Sequence, residues 1–185
     1  MLIEIWSDVI CPWCYIGKTR FDLALENVRR DIPSLPVEVA FRPYQLDPTA
    51  PIDRTEPLIE TYAKKFGGAD RATQIMGHVS KVAASDGLEF DMDIALRANT
   101  LSAHRLLEWA LETAGQKAQA DLYHLFMSAY FELGKNIGDH DTLVELCASA
   151  NLDPDAARDV LSSDHYRIEV QRGIERASSL DIHAV

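Results

Sequence analysis

The sequence predicts an α/β fold in which a short βαβ unit leads into a large, all-helical region. Three observations predict it: an apolar run at Leu2–Trp6 that ends before a proline-started helix, an alternating strand around Val37–Phe41, and helical spacing in most of the remaining chain. The 185 residues suffice for one domain of ordinary size, or for a small domain with a large insertion.

Leu2-Ile3-Glu4-Ile5-Trp6 has the β-branched and aromatic character of a buried strand. Pro12 brings a fixed φ and no N–H donor, which suits the first position of a helix. That helix extends to about Arg30 and stops at Asp31-Ile32-Pro33. Val37, Val39 and Phe41 then alternate with Glu38 and Ala40, as a second strand requires. A strand, helix and strand of this length make a βαβ unit with parallel strands and a right-handed crossover. Pro43, Pro48, Pro51 and Pro57 are half of the 8 prolines and fall in one passage without Gly/Ser runs. It reads as an ordered crossing between two lobes.

Beyond the crossing the spacing is helical. Ala103, Leu106, Leu107, Ala110, Leu111 and Ala114 form one stripe, and Leu122, Leu125, Phe126, Ala129, Tyr130 and Leu133 form another. They predict two amphipathic helices packed together. Leu143, Leu146, Cys147 and Ala150 make a third stripe, and Asp153-Pro154 is an N-cap and N1 pair opening a fourth helix. A last helix spans about His165–Ser179.

Composition excludes several function classes. The net charge is −11 and no Lys/Arg run exceeds a pair, so the chain lacks the basic face that grips phosphate backbones; nucleic acid is not an expected partner. No stretch approaches the ~20 apolar residues that span a bilayer, so no membrane partner is expected. No basic, apolar, small-residue leader precedes the first strand, so the expected location is cytoplasmic. The 3 cysteines are too few for a stapled secreted scaffold, and only Cys11 and Cys14 are close in sequence.

Cys11-Pro12-Trp13-Cys14 lies where a strand gives way to a helix, and this position carries the chemistry. Free backbone N–H groups and the positive end of the helix dipole stabilise a thiolate there, which predicts a lowered pKa for Cys11. Cys14 is one turn on, on the same face, near enough to resolve a mixed disulfide. Cys11 is therefore expected to attack and Cys14 to be the more shielded, resolving thiol. Pro12 removes one donor from the turn, and Trp13 covers part of the site with apolar surface. Half of a zinc site is the competing interpretation, but such sites want two closely spaced ligand pairs. The other candidates, Cys147 and 6 scattered histidines, supply no second pair, so no metal and no resident cofactor are expected.

Asp8-Val9-Ile10-Cys11-Pro12-Trp13-Cys14-Tyr15-Ile16-Gly17-Lys18 resembles the active-site signature of the DsbA-like thioredoxin superfamily, in particular its FrnE-like branch. Phe41-Arg42-Pro43-Tyr44-Gln45-Leu46-Asp47-Pro48, and Asn99-Thr100 followed by Ala103-His104-Arg105-Leu106, resemble two further segments of that branch. The resemblance covers essentially the whole chain. It implies a thioredoxin-like fold interrupted by a helical insertion: residues 1–46 as its N-terminal half, 47–164 as the insertion, and 165–185 as a helix and return segment. It also implies exchange with protein or small-molecule thiols and disulfides, with glutathione or another low-molecular-weight thiol as reductant. In that family a cis-proline loop faces the cysteines. Leu180-Asp181-Ile182-His183-Ala184-Val185 resembles the approach to it, and no residues are left for the ββα half. The expectation is that the native chain continues past Val185.

Asp8 is a candidate proton acceptor or a loop-shaping residue, and Asn99 and His104 are candidates to face the substrate from the helical lobe. Lys18 is two turns along its helix and expected in solvent, Cys147 is expected to be a buried structural thiol, and Phe126, Tyr130 and Phe131 to be core. Two other functions compete. A sister branch contains glutathione-dependent isomerases such as 2-hydroxychromene-2-carboxylate isomerase, which typically have serine at the position of Cys11 and need no resolving cysteine. A thiol-bearing chaperone would suppress aggregation even with both cysteines alkylated. A monomer or a homodimer is expected, an unpaired edge on the first strand favouring association.

Overall fold

The computed structural model describes residues 1–52 and 54–185. Strand β1 (Leu2–Ser7) pairs in parallel with β2 (Glu38–Pro43), in a register running from Leu2 opposite Glu38 to Ser7 opposite Pro43. Helix α1 (Pro12–Asp31) makes the crossover, with Cys11 as its N-cap and Arg29 and Arg30 in the last turn, where they complement the helix dipole. The outer edge of β2 is met by a side chain. The fully buried Gln119 amide accepts from Phe41 N–H and donates to Phe41 C=O, both at 2.9 Å, as a neighbouring strand would.

Ion pairs and one amide hold described residues of the proline-rich passage. Arg97 pairs with Asp47 at 2.7 Å and Glu56 at 3.4 Å, and Asn99 Nδ2 donates to Ala50 C=O at 2.9 Å. The region after it is not wholly helical. Two-residue strands β3 (Glu56–Pro57) and β4 (Leu96–Arg97) pair antiparallel. Elements this short leave no alternation in the sequence. Between them lie α2 (Leu58–Phe66) and α3 (Ala69–Ser85), separated by Gly67 and Gly68.

The two stripes form two helices, as expected, joined without a loop at Gly115, which has φ 85° and ψ −179°; together they are labelled α4 (Leu101–Phe131). Glycine alone adopts that conformation cheaply, so one residue supplies the whole break. Leu133, counted in the second stripe, lies past the end of α4 and is exposed. Helices α5 (His140–Ser149) and α6 (Pro154–Ser162) come next, each N-capped by an aspartate, Asp139 and Asp153. Arg105, buried on α4, donates from Nε to His165 C=O at 2.7 Å and from a terminal nitrogen to the carbonyls of Val160 and Ser163. This closes the C-terminal end of α6. Helix α7 (Arg167–Ser179) packs on β2 and α4. Trp6 Nε1 donates to Gly173 C=O at 3.0 Å, and a Cβ at Gly173 would come within 2.5 Å of Pro43.

The core lies between α1 and the helices that follow β2. Tyr15, Phe90 and Phe131 stack with centroids 4.6–6.0 Å apart, and Phe126 and Tyr130 are fully buried beside them. Cys147 is equally buried, and burial pushes its thiol up to about 12, which leaves it inert as a nucleophile. Among the described residues, no helix is long and apolar enough to cross a membrane.

Gly115→Ala tests the break in α4. A Cβ there meets no atom within 4 Å, so only backbone strain opposes it. The substitution should cost about 1–3 kcal/mol, lowering the melting temperature by roughly 2–4 °C per kcal/mol. An unchanged melting temperature would show that α4 runs through this position unstrained.

Candidate active site

Strand β1 ends at Ser7, and the next residues turn sharply: Cys11 N–H donates to Asp8 C=O at 3.0 Å. The turn delivers Cys11 to the N-cap of α1 with φ −88° and ψ 112°. Pro12 occupies N1, where its missing N–H has no partner to lose. Cys14 N–H, in the first turn of the helix, donates to Cys11 Sγ at 3.3 Å and to Cys11 C=O at 3.1 Å, so that sulfur caps the helix.

Shielding of the two thiols is the reverse of the expectation. Cys11 is only 2% exposed and Cys14 is half-buried. The reason lies far along the chain. Val185 C=O accepts from Cys11 S–H at 3.5 Å, and Tyr44 O–H donates to His183 C=O at 2.8 Å, so the segment after α7 lies over Cys11. Cys14 instead opens onto an apolar cleft of about 320 Å³ bordered by Trp6, Trp13, Phe21 and Phe41. The Trp13 ring is 47% exposed and faces His78 of α3 with centroids 6.4 Å apart.

Both cysteines are free thiols, and their mutual interaction drives the two ionisations apart. Cys14 is lowered to about 7, first by the hydrogen bond from Cys11 and then, against its burial, by donors from the Ser7 hydroxyl and the Asp8 backbone. Cys11 is raised far above the ordinary thiol range, first by its bond with Cys14 and then by burial. The lowered pKa expected of Cys11 falls on Cys14 instead, because the two thiols titrate as an interacting pair and burial opposes a thiolate at Cys11.

Asp8 is fully buried and shapes the loop. Its Oδ2 accepts from Leu46 N–H at 2.7 Å, and its Oδ1 faces His104 Nε2 at 3.2 Å. The same nitrogen is 3.0 Å from Tyr44 C=O. Both neighbours are acceptors, so Nε2 carries the proton. His104 and Asn99 were expected to face the substrate, but their polar atoms are engaged elsewhere. His104 serves Asp8 and Tyr44, while Asn99 ties Ala50 to the start of α4 through Leu101 N–H at 3.0 Å. The three sequence motifs therefore meet behind the cysteines. Lys18 is buried rather than solvated: Nζ pairs with Asp22 at 2.6 Å and lies 5.7 Å from the centre of the Phe41 ring.

Two residues at the site carried no signal in the sequence. Ser7 lines the cleft beside Cys14, helps to lower that thiol, and bonds the hydroxyl of the buried Tyr123, whose ring stacks on Phe41 at 4.6 Å. Tyr123 falls one residue off the apolar stripe of its helix, so spacing does not single it out. Among the described residues, no three His, Cys, Asp or Glu side chains converge as metal ligands.

The profile of the DSBA-like thioredoxin domain matches residues 2–184. The chain is 33% identical to a probable DsbA oxidoreductase from Streptomyces coelicolor, whose crystal structure superposes with a TM-score of 0.89 over 100% of this chain and 78% of that one. The uncharacterized protein YwbO of Bacillus subtilis is 25% identical over 99% of this chain and 83% of its own. The cytosolic disulfide reductase DsbM of Pseudomonas aeruginosa shares the fold at 18% identity, with a TM-score of 0.67 over 100% of this chain and 82% of that one; its structure is also solved with GSH.

Asp8→Asn separates the two effects of this carboxylate. Whichever way the amide turns, its NH₂ meets a donor, Leu46 N–H or His104 Nε2–H. One buried hydrogen bond is lost, at a cost of about 1–3 kcal/mol. The negative charge that opposes both thiolates is lost with it. The first thiolate should then form below the present value of about 7, read as thiolate absorbance against pH. A midpoint that rises would mean that Asp8 acts through loop shape alone.

Proposed function

Since the chain belongs to the DSBA-like thioredoxin domain family, we propose that it is a thiol–disulfide oxidoreductase working through Cys11 and Cys14. The observation that carries this proposal is the hydrogen-bonded dithiol at the N-terminus of α1, with its first thiolate at about 7. Such a pair is part thiolate at neutral pH and has its resolving partner in place. An isomerase that borrows the thiol of glutathione has no use for the second cysteine.

Cys11 is the attacking sulfur in this scheme. It passes its proton to the Cys14 sulfur that it already contacts and attacks one sulfur of a substrate disulfide. The substrate S–S bond breaks, a Cys11–substrate disulfide forms, and the first substrate thiolate leaves. Cys14 then loses its proton and attacks Cys11 Sγ, which closes the Cys11–Cys14 disulfide and expels the second thiolate. Two electrons pass to the substrate; the single proton of the monothiolate pair goes to the first substrate thiolate, and the second leaves as a thiolate that takes its proton from solvent. Val185 C=O must first move off Cys11, and that contact is a single long one.

Trp13 stands between the cysteines and offers no charge, only an indole N–H. Strongly oxidising enzymes of the DsbA type place a histidine there, which stabilises the thiolate. Its replacement makes the disulfide more stable relative to the dithiol. The protein is accordingly assigned to reduction or isomerisation in a cytosol, with glutathione or another small thiol returning the dithiol state. Protein or small-molecule disulfides are its substrates.

Cys11→Ser should abolish disulfide reductase activity, Cys14→Ser should accumulate mixed disulfides visible by mass spectrometry, and Cys147→Ala should change neither. Mixed disulfides trapped by Cys11→Ser instead would reverse the two roles. No loss of activity in either variant would refute the exchange function.

Equilibration with glutathione buffers should give a potential clearly below the ~−120 mV of DsbA. A value at or above that level would contradict the role assigned to Trp13.

A further inference from the structure

Cys11 is buried, yet little holds its cover in place. Helix α7 ends in a tight turn: Ile182 N–H donates to Ala177 C=O at 2.9 Å, and Asp181 takes the left-handed conformation at φ 62°, which aspartate tolerates better than most residues. The turn sends residues 183–185 back across the start of α1. Asp181, His183 and Ala184 are exposed there, and Ile182 and Val185 are half-buried, so no large buried side chain anchors the segment. The His183 ring bonds Asp181 of the same turn at 2.7 Å. Among the described residues, two hydrogen bonds tie residues 183–185 to elements other than α7 and its turn. Cys11 S–H donates to Val185 C=O at 3.5 Å, and Tyr44 O–H donates to His183 C=O at 2.8 Å.

Tyr44 is the fixed side of its contact. Its N–H donates to Ser7 C=O at 3.1 Å and its C=O meets His104 Nε2 at 3.0 Å, so its main chain is held on both sides by buried residues. A thiol is a weak donor, so the bond from Tyr44 is the stronger of the two ties. We infer that Tyr44 is a positioning residue, the latch of a strap formed by residues 180–185 that covers Cys11 in the dithiol and lifts from it in the disulfide. This role presupposes the proposed exchange function.

The two states of the cysteine pair treat the strap differently. In the dithiol, Cys11 offers an S–H to the Val185 carbonyl. When Cys11 and Cys14 join, the substrate disulfide takes up two electrons and the Cys11 proton is lost. A sulfur bonded to sulfur has nothing to donate, so one of the two ties is gone and only the Tyr44 bond opposes the lifting of the strap. The return step needs that motion, because an external thiolate must reach Cys11 Sγ to reopen the disulfide. A cover that closes over the dithiol alone also stabilises the dithiol, since whatever binds one state of an equilibrium draws the equilibrium toward it. The strap leaves Cys14 open to the apolar cleft while Cys11 is covered.

Access and redox balance are measured separately on the full chain. Tyr44→Phe removes the hydroxyl and keeps the ring, and a neutral hydrogen bond of this kind changes an open–closed equilibrium about fivefold. In a Cys14→Ser background, alkylation of Cys11 at neutral pH, followed by mass spectrometry, should therefore speed up about fivefold with Tyr44→Phe, because the reagent reaches only the uncovered sulfur. In a Cys11→Ser background the rate at Cys14, already open to the cleft, should not change, and the fully buried Cys147 should stay unlabelled in both. With the cysteine pair intact, Tyr44→Phe should shift the equilibrium with glutathione toward the disulfide by the same factor, equivalent to about 20 mV more negative. An unchanged Cys11 rate would overturn the latch. So would an equal gain at Cys14 or labelling of Cys147, which would mean general loosening. An unchanged potential would overturn it too, because the strap would then ignore the redox state. A protein that forms no Cys11–Cys14 disulfide with glutathione would instead refute the exchange function, while the alkylation rates would still decide whether Tyr44 holds the cover.

Discussion

The buried carboxylate of Asp8 is the point on which the arrangement of the site depends. One oxygen holds Leu46 N–H and the other holds His104, so the turn before α1, the segment after β2 and the first half of α4 are fixed to a single residue. His104 extends the hold to Tyr44 C=O through the same nitrogen. A carboxylate is suited to this position because it accepts from two directions at once, and the polar groups it meets would otherwise be buried without partners. Among the described residues, no buried side-chain nitrogen or oxygen lacks a hydrogen bond.

That anchor has an electrostatic consequence. A negative charge behind the cysteines disfavours a thiolate, as does burial, yet the pair still ionises at about 7. The opposing contributions are local: the neighbouring Cys11, the Ser7 hydroxyl and the Asp8 backbone, all beside Cys14. Hydrogen bonds to an ionised sulfur are stronger than those between neutral groups. A few of them therefore offset a diffuse unfavourable field. The site balances one carboxylate needed for architecture against several donors needed for reactivity.

The helical region supports this balance by rigid placement. Gly115 divides α4 into two arms. The first carries His104 to Asp8, and the second brings Tyr123 to Ser7 and Gln119 to the edge of β2. A single residue with φ 85° replaces a loop, so both arms are held in one relation to the β1–α1 turn. Arg105 secures the first arm from the opposite face by bonding three carbonyls around the end of α6, a buried cation satisfied by backbone dipoles.

The sequence by itself determined the βαβ unit, the helical stripes, the aspartate caps and the cysteine pair at the start of α1. Each of these is written in local chemistry: apolar period, a proline at N1, a cap, a spacing of three. Tertiary structure decided the rest. It buried Cys11 under a segment more than 170 residues away, left Cys14 facing a cleft, and brought Lys18 out of solvent onto Phe41. It turned His104 and Asn99 toward backbone partners and made neighbours of Ser7 and Tyr123, 116 residues apart. The pairing of β3 with β4 belongs to the same class, since two residues carry no pattern. Local periodicity reports which face of an element is apolar, and it holds no information about which distant polar atom that face will meet. The position of the cysteine pair was therefore legible from residues 11–14, while the groups around it were fixed only when the chain closed around Asp8.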